Sequence, residues 1–487
     1  MDNIYMNKST LMVNSNNICY FNNQSSNSEE SKIEDSELSR TSSVAISPRN
    51  IPSQTQAFKR TYEGNIVPGG NLDCLYPYMY QLFKGQKVDL SDLDSKIETG
   101  NSLISCIKTV CIRMMKKFES LGKEDRSYLN VLLSGCINTL TVSHQLTLIN
   151  MMGVERLQNI YESERELIDK NDGWYLLKDN MKQVLKDGGM TKLRCFVTEE
   201  RLKIYQRETN HDENLKLKIL DVFEYIFNMV QYKDWRRSNL SEEDYCLYWK
   251  TVFGIMFRGK DVLMRQGEQC SLASKFQRQA NEVEFGDISS NVMGRRLDFS
   301  FGCTLYDDKN KPSMIDICSA EIKPENTGND IKNIQLNKNI RVNKAILYLL
   351  LQHMPNNQKE RIYTIGIDMA GLQGYFYKVV QYEDAVVALK LAEDDIFLPS
   401  DEDDLHEFLS CDAMDQLIFF VNHICSLKSS VKKASKVFKR TRATANTTSG
   451  IQSRMQSPPR RNPPFPSSTF FTPKRVNTKM DYDLISE

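Results

Sequence analysis

The residues best suited to chemistry are an aspartate, Asp298, and the triplet Glu321-Ile322-Lys323. Leu297-Asp298-Phe299-Ser300-Phe301 alternates as a strand does, with Phe299, Phe301, Cys303 and Leu305 on one face and Asp298 on the other. Asp307-Asp308-Lys309-Asn310-Lys311-Pro312 is a turn signal, and a second strand is expected from about Met314 to Lys323. Closing that hairpin brings Asp298 across from Glu321. On the second strand Glu321 and Lys323 share a face, while Ile322 turns inward with Ala320 and Cys318. Two adjoining carboxylates repel unless a cation lies between them. Oxygen-only ligation suits Mg²⁺ or Mn²⁺, with waters and phosphate oxygens as further ligands. The competing reading is an ordinary salt-bridge pair on a strand surface. A second Glu-x-Lys triplet, Glu30-x-Lys32, lies in a low-complexity arm without strand context.

This arrangement resembles the PD-(D/E)XK nuclease superfamily, the restriction-endonuclease-like fold. The matching residues are Gly294-Arg295-Arg296-Leu297-Asp298 and Ala320-Glu321-Ile322-Lys323-Pro324, with Leu297 where the named motif has Pro. The stretch is also similar to uncharacterised fungal proteins carrying Gly-Arg-x-x-Asp…Glu-x-Lys. The resemblance covers residues 236–428 and implies metal-assisted phosphodiester hydrolysis on nucleic acid. Asp298 and Glu321 are then expected to hold Mg²⁺ (or Mn²⁺), and Lys323 to neutralise developing charge or orient water. Glu242 is the expected additional metal ligand, in competition with Glu243, Glu282 and Glu284. The rival reading is a non-catalytic nuclear module that binds nucleic acid or protein on a nuclease-like scaffold. A third is a helical interaction protein whose hairpin pattern is accidental.

The elements needed to position these residues are visible on both sides. Ser241-Glu242-Glu243-Asp244 reads as an N-cap with an acidic first turn, followed by a helix to about residue 257. A second helix is expected over Asp330–His353, with Leu336, Ile340, Leu347 and Leu350 on one face. Lys338, Arg341 and Lys344 form a stripe on another face, and Gln335 lies on neither. That stripe, with Arg295 and Arg296, is the candidate nucleic-acid contact; a solvated helix face explains it equally. Strands over Ile362–Asp368 and around Tyr375–Val380 and a last helix over Asp404–Leu427 complete a mixed α/β domain. Before it, residues 61–235 read as mainly helical, the clearest segment being Leu103-Ile104-x-x-Ile107-x-x-Val110-Cys111. His144 there has no partner at ligand spacing.

Both ends look different. Residues 1–60 are rich in Ser and Asn, and residues 429–487 in Ser, Thr, Pro and basic side chains, so both are expected to be disordered. Lys432-Lys433 and Lys439-Arg440-x-Arg442 form a candidate nuclear-import signal or phosphate-binding arm. Of 487 residues, 63 are basic and 63 acidic. Residues 391–427 carry ten acids and no Lys or Arg, whereas 428–487 carry 13 basic and 3 acidic residues. Local balance therefore excludes only uniform basicity, and the acidic block could mask the tail. Twelve scattered cysteines without zinc spacing point to reduced thiols. No apolar run suits a signal peptide or a bilayer span. The expectation is a nuclear, otherwise cytoplasmic, protein that is not secreted and meets nucleic acid, DNA in preference to RNA.

Overall fold

Local signals of capping and periodicity are realised in the described part of the first half. The computed structural model describes residues 72–96, 100–166, 168, 172–206, 215–233, 240–267, 269–285, 293–306, 312–354, 362–448 and 469–472. Its first helices are α1 (Tyr76–Phe83), α2 (Leu103–Lys116) and α3 (Lys123–Leu133). Ser102 caps α2 by accepting the Ser105 N–H at 3.1 Å. The apolar face of Leu103, Ile104, Ile107 and Cys111 is fully buried. After a short strand β1 (Cys136–Asn138) come α4 (Val142–Met152), α5 (Val154–Glu164), α6 (Asp172–Tyr205) and α7 (Leu215–Tyr232). His144 stacks on Tyr128 at 3.7 Å between ring centroids, a packing role.

The second half supplies the sheet apart from β1. Helix α8 (Glu242–Met256) starts with the expected cap: the Asp244 N–H donates to Ser241 Oγ, and the Ser241 N–H donates to Asp244 Oδ2 at 2.8 Å. Then follow β2 (Leu263–Gln266), α9 (Leu272–Phe285), β3 (Phe299–Tyr306) and β4 (Pro312–Lys323). Helix α10 (Asn329–His353) leads to β5 (Tyr363–Ala370), β6 (Gln373–Tyr382), β7 (Ala385–Lys390) and β8 (Ile396–Phe397). Helices α11 (Glu402–Ser410) and α12 (Ala413–Thr448) close the order. One mixed sheet runs β1-β7-β6-β5-β4-β3-β2, with β8 beside β6. Strands β4 and β5 pair in parallel, as do β1 and β7; the other pairs are antiparallel. The expected hairpin is β3–β4, in register Phe299 opposite Ala320. Its turn, 307–311, lies outside the described residues.

Two expectations change. The border at residue 235 is not a border between sheets, because β1 from the helical half pairs with β7 and residues 174–230 share a core with residues 245–434. The tail expected to be disordered from 429 continues α12 to Thr448, and Thr469–Thr472 is buried against the body except at its last residue. Masking of that tail by the acidic block lies outside the described residues, as do most of the tail's basic side chains, but several acids of the block have partners in the body. Asp415 pairs with Lys178 at 3.3 Å and Glu393 with Arg165 at 2.9 Å, while Asp401 caps α11 through the Asp404 N–H. The arm expected over 1–60 lies outside the described residues. Among the described residues no helix is long and apolar enough to cross a membrane, and the described cysteines, Cys111, Cys136 and Cys318 among them, carry free thiols.

Candidate active site

Asp298 is delivered by a strap sewn onto the start of α9. The Arg295 N–H donates to Ser274 Oγ at 2.8 Å, the Ser271 N–H to the Arg295 carbonyl at 2.9 Å, and the Leu297 N–H to the Gln269 carbonyl at 3.3 Å. Gly294 allows this approach, since a Cβ there would stand 2.2 Å from the Ser271 carbonyl oxygen. Helix α9 is itself fixed to β4: buried Asp316 accepts the Leu272 N–H at 2.9 Å and ion-pairs Arg265. Asp298 then reaches across the hairpin, its Oδ2 accepting the Ile322 N–H at 2.7 Å.

Strand β4 alternates as expected. Cys318, Ala320 and Ile322 enter the main core, while Glu321 and Lys323 face the other side, where each is only 1% exposed. The Asp298 and Glu321 carboxyl groups lie near enough to act on each other's charge. Burial pushes the Glu321 carboxyl up to about 8, opposed by Lys338 and reinforced by Asp298. Burial also raises Asp298, against the Ile322 N–H and the charges of Lys338 and Lys323. Burial thus favours the protonated form of Glu321.

Two ammonium groups complete the cluster. Lys338 Nζ stands 3.1 Å from Glu321 Oε1, off the hydrogen-bonding direction, an ion pair with only 8% of Lys338 exposed. Lys323 Nζ ion-pairs Asp368 Oδ1, and the Tyr375 hydroxyl donates to Asp368 Oδ2 at 3.4 Å. Asp368 faces Glu321 in the parallel β4–β5 register. It is a site residue that spacing did not single out, although Ile365-x-Ile367-x-Met369 puts it on the polar face of its strand. Polar zippers set the α10 height: Ser319 Oγ donates to Asn339 Oδ1 at 2.6 Å, and the Ser319 N–H to Asn343 Oδ1 at 3.1 Å. On the other flank, Trp249 Nε1 of α8 donates to the Gly371 carbonyl at 3.1 Å, and the Gly371 N–H to the Lys323 carbonyl at 2.8 Å. Gly371 has φ +65°, so the β5–β6 turn that backs Lys323 needs glycine.

Of the competing upstream glutamates, Glu242 lies nearest in effect. Its carboxyl is raised by partial burial first and by Asp298 second, with Lys338 and Lys323 opposing. By surface exposure Glu242 and Glu243 are alike, both exposed on the first turn of α8. Glu282 and Glu284 lie late in α9, where side chains fall outside the described set.

The basic stripe is not a surface. Arg341 and Lys344 are buried, since α10 packs against the sheet on one side and α3 on the other. Arg341 donates to the Asn337 carbonyl at 3.3 Å and the Phe470 carbonyl at 3.4 Å, and Lys344 to the Ser134 carbonyl. Burial lowers the Lys344 ammonium. Arg295 is buried as well, its Nη2 donating to Thr472 Oγ1 at 2.7 Å. Arg296 alone of the five is exposed. In the basic run expected to act in import, Lys432 ion-pairs Asp261 at 2.5 Å and Lys433 is exposed. Lys439, Arg440 and Arg442 lie on α12, but their side chains are outside the described residues.

Among the described residues, no three His, Cys, Asp or Glu side chains converge as a ready set of metal ligands. The donor chemistry of the pair nevertheless fits a hard divalent cation. Asp298, held on the Ile322 N–H, and Glu321 next to it place two carboxyl groups side by side, and Mg²⁺ accepts one or two carboxylates with several waters. No family model, curated protein or solved structure matches this chain.

Proposed function

We propose that the protein is a metal-dependent phosphodiesterase acting on nucleic acid, with a restriction-endonuclease-like core formed by α8, the β3–β4 hairpin, α10 and β5–β7. The observation that carries this reading is the half-buried Asp298 carboxylate, tied across the hairpin to the Ile322 N–H, beside buried Glu321 and Lys323. Asp298 and Glu321 would hold Mg²⁺ or Mn²⁺, with Glu242 as the adjacent carboxylate. When bound, the ion supplies a water of lowered pKa and polarises the scissile phosphate.

The chain's own residues do the rest. The Ile322 N–H fixes the Asp298 carboxylate against rotation. Deprotonation of Glu321 readies the pair for a cation. Asp368 holds the Lys323 ammonium at the end of β4, where it can donate to an attacking water or to an oxygen gaining charge. Tyr375 in turn steadies Asp368. Exposed Arg296, two positions before Asp298, is suited to a phosphate of the substrate backbone.

The deciding experiment titrates Mg²⁺ and Mn²⁺ into the full chain with plasmid and single-stranded DNA, then RNA, as substrates. Cleavage that requires the ion and disappears in Asp298→Asn is expected. Metal-dependent cleavage that persists in Asp298→Asn removes Asp298 from the mechanism. A second reading, a non-catalytic binding module, draws on the Lys338–Glu321 and Lys323–Asp368 ion pairs, which already balance the charge of the cluster. It is supported by nucleic-acid binding without cleavage across the whole metal titration. Nuclear residence belongs to the same proposal, and is tested by imaging a fusion lacking residues 429–445.

A further inference from the structure

Thr469–Thr472 is a short piece of chain with no helix or strand of its own, joined to α12 through residues 449–468. It is seated almost as a ligand is. Phe470 is fully buried, edge-on to Tyr76 at 4.8 Å and Tyr80 at 5.8 Å and stacked on Phe83 at 6.2 Å. Phe471, 1% exposed, lies with the guanidinium groups of Arg295 and Arg341 each 5.8 Å from its ring.

The backbone is met by side chains of the body. The Thr469 N–H donates to Gln277 Oε1 at 2.9 Å, and its carbonyl accepts from Asn281 Nδ2 at 2.8 Å. The Phe470 N–H donates to Ser134 Oγ at 3.0 Å, and its carbonyl accepts from Arg341 Nη1 at 3.4 Å. Main-chain recognition plus two aromatic anchors is how extended peptides are held in grooves. Gln277, Asn281 and Arg341 are buried polar groups, and an empty groove leaves them to water or unsatisfied. These features describe a built peptide site, filled in cis.

The seat also touches the strap that carries Asp298. Thr472 and Phe471 engage the side chain of Arg295, whose backbone is stitched to Ser271 and Ser274, three residues before Asp298. We propose that Thr469–Thr472 is a detachable latch carried by the chain's own tail, that the groove between α1, α3, α9 and α10 is its receptor, and that its seating holds the strap so that Asp298 meets the Ile322 N–H. The latch stands whether or not the pair cleaves nucleic acid, because its readouts are peptide exchange and one hydrogen bond.

The test uses the full chain with a protease site engineered between residues 455 and 456, folded first and nicked afterwards. The C-terminal fragment is expected to co-elute with the body, and a fluorescent peptide of residues 464–476 to exchange into the groove as the fragment leaves. The same peptide with Phe470→Ala and Phe471→Ala should not exchange. With the fragment removed, hydrogen exchange at the Ile322 amide should rise by about tenfold or more and fall again on adding the peptide. A fragment that separates on nicking, with no entry of the wild-type peptide, overturns the receptor. Equal Ile322 exchange with groove full and empty, in protein shown to exchange peptide, overturns the coupling. Thr472→Val in the intact chain provides a milder check, with Ile322 exchange expected to rise severalfold.

Discussion

Among the described residues, Glu321 carries a marked pH signature. Its carboxyl is about 8 in the fold against an ordinary value of 4.5, so the folded state holds a proton that the unfolded chain releases. That contribution is fully present below about 4.5 and is lost as pH rises through about 8. Denaturant titrations should show Glu321→Gln flattening the fall in stability over this window, where one proton contributes a slope of at most about 1.4 kcal/mol per pH unit. An unchanged slope would mean that Glu321 is ionised in the fold. Metal binding should strengthen across the same range, with proton release measurable by calorimetry in two buffers. Asp368→Asn loosens Lys323 without touching the carboxyl pair, so cleavage is expected to fall by about 10–100-fold while Mg²⁺ affinity stays nearly constant. Asp298, Glu321 and Lys323 were legible because strand alternation fixes which side chains share a face. Asp368 was not, because the parallel pairing of β4 with β5 is set by α10 packing and leaves no local mark.

At the level of elements, α10 explains the largest departure from the sequence reading. Lys338, Arg341 and Lys344 at helical spacing normally signal a wet face. Here α3 and the Phe470 segment cover that face, and carbonyl oxygens of Ser134, Asn337 and Phe470 take the place of solvent. Neutralising Lys344 as Lys344→Met should therefore lower thermal stability and leave the salt dependence of nucleic-acid binding unchanged. Arg296→Ala should do the reverse, reducing the salt slope by about one ion. The strap offers a sharper test. Gly294→Ala drives a methyl group into the Ser271 carbonyl, which is backbone and cannot swing aside. A loss of about 1–3 kcal/mol is expected, with cleavage falling further than stability alone accounts for. The caps of α2 and α8 and the β3–β4 hairpin could be read directly, since each is decided by neighbours a few residues apart. Strands β1, β2 and β8 are short pieces of two to four residues whose partners lie far away, beyond any local pattern.

For the whole molecule, the sheet erases the division into a helical half and an α/β half. Strand β1 pairs with β7, and Val380, Ala385, Val387 and Leu389 share a core with α1–α3. A fragment of residues 236–428 should therefore expose that apolar face and aggregate or remain molten, whereas the full chain melts cooperatively; calorimetry and dye binding distinguish the two. A cooperative melt of the fragment alone would restore the division. The β1–β7 contact also bears on how the chain reaches its fold. Thr139 Oγ1 donates to the Ala388 carbonyl 249 positions away, and the Ser134 hydroxyl bonds Phe470 across 336. During synthesis, α1–α3 leave the ribosome long before either partner exists, with an apolar surface waiting for strands not yet made. High contact order of this kind slows folding and lengthens exposure to aggregation, so refolding should be slow, and chaperone demand should persist until the Phe470 segment has been released.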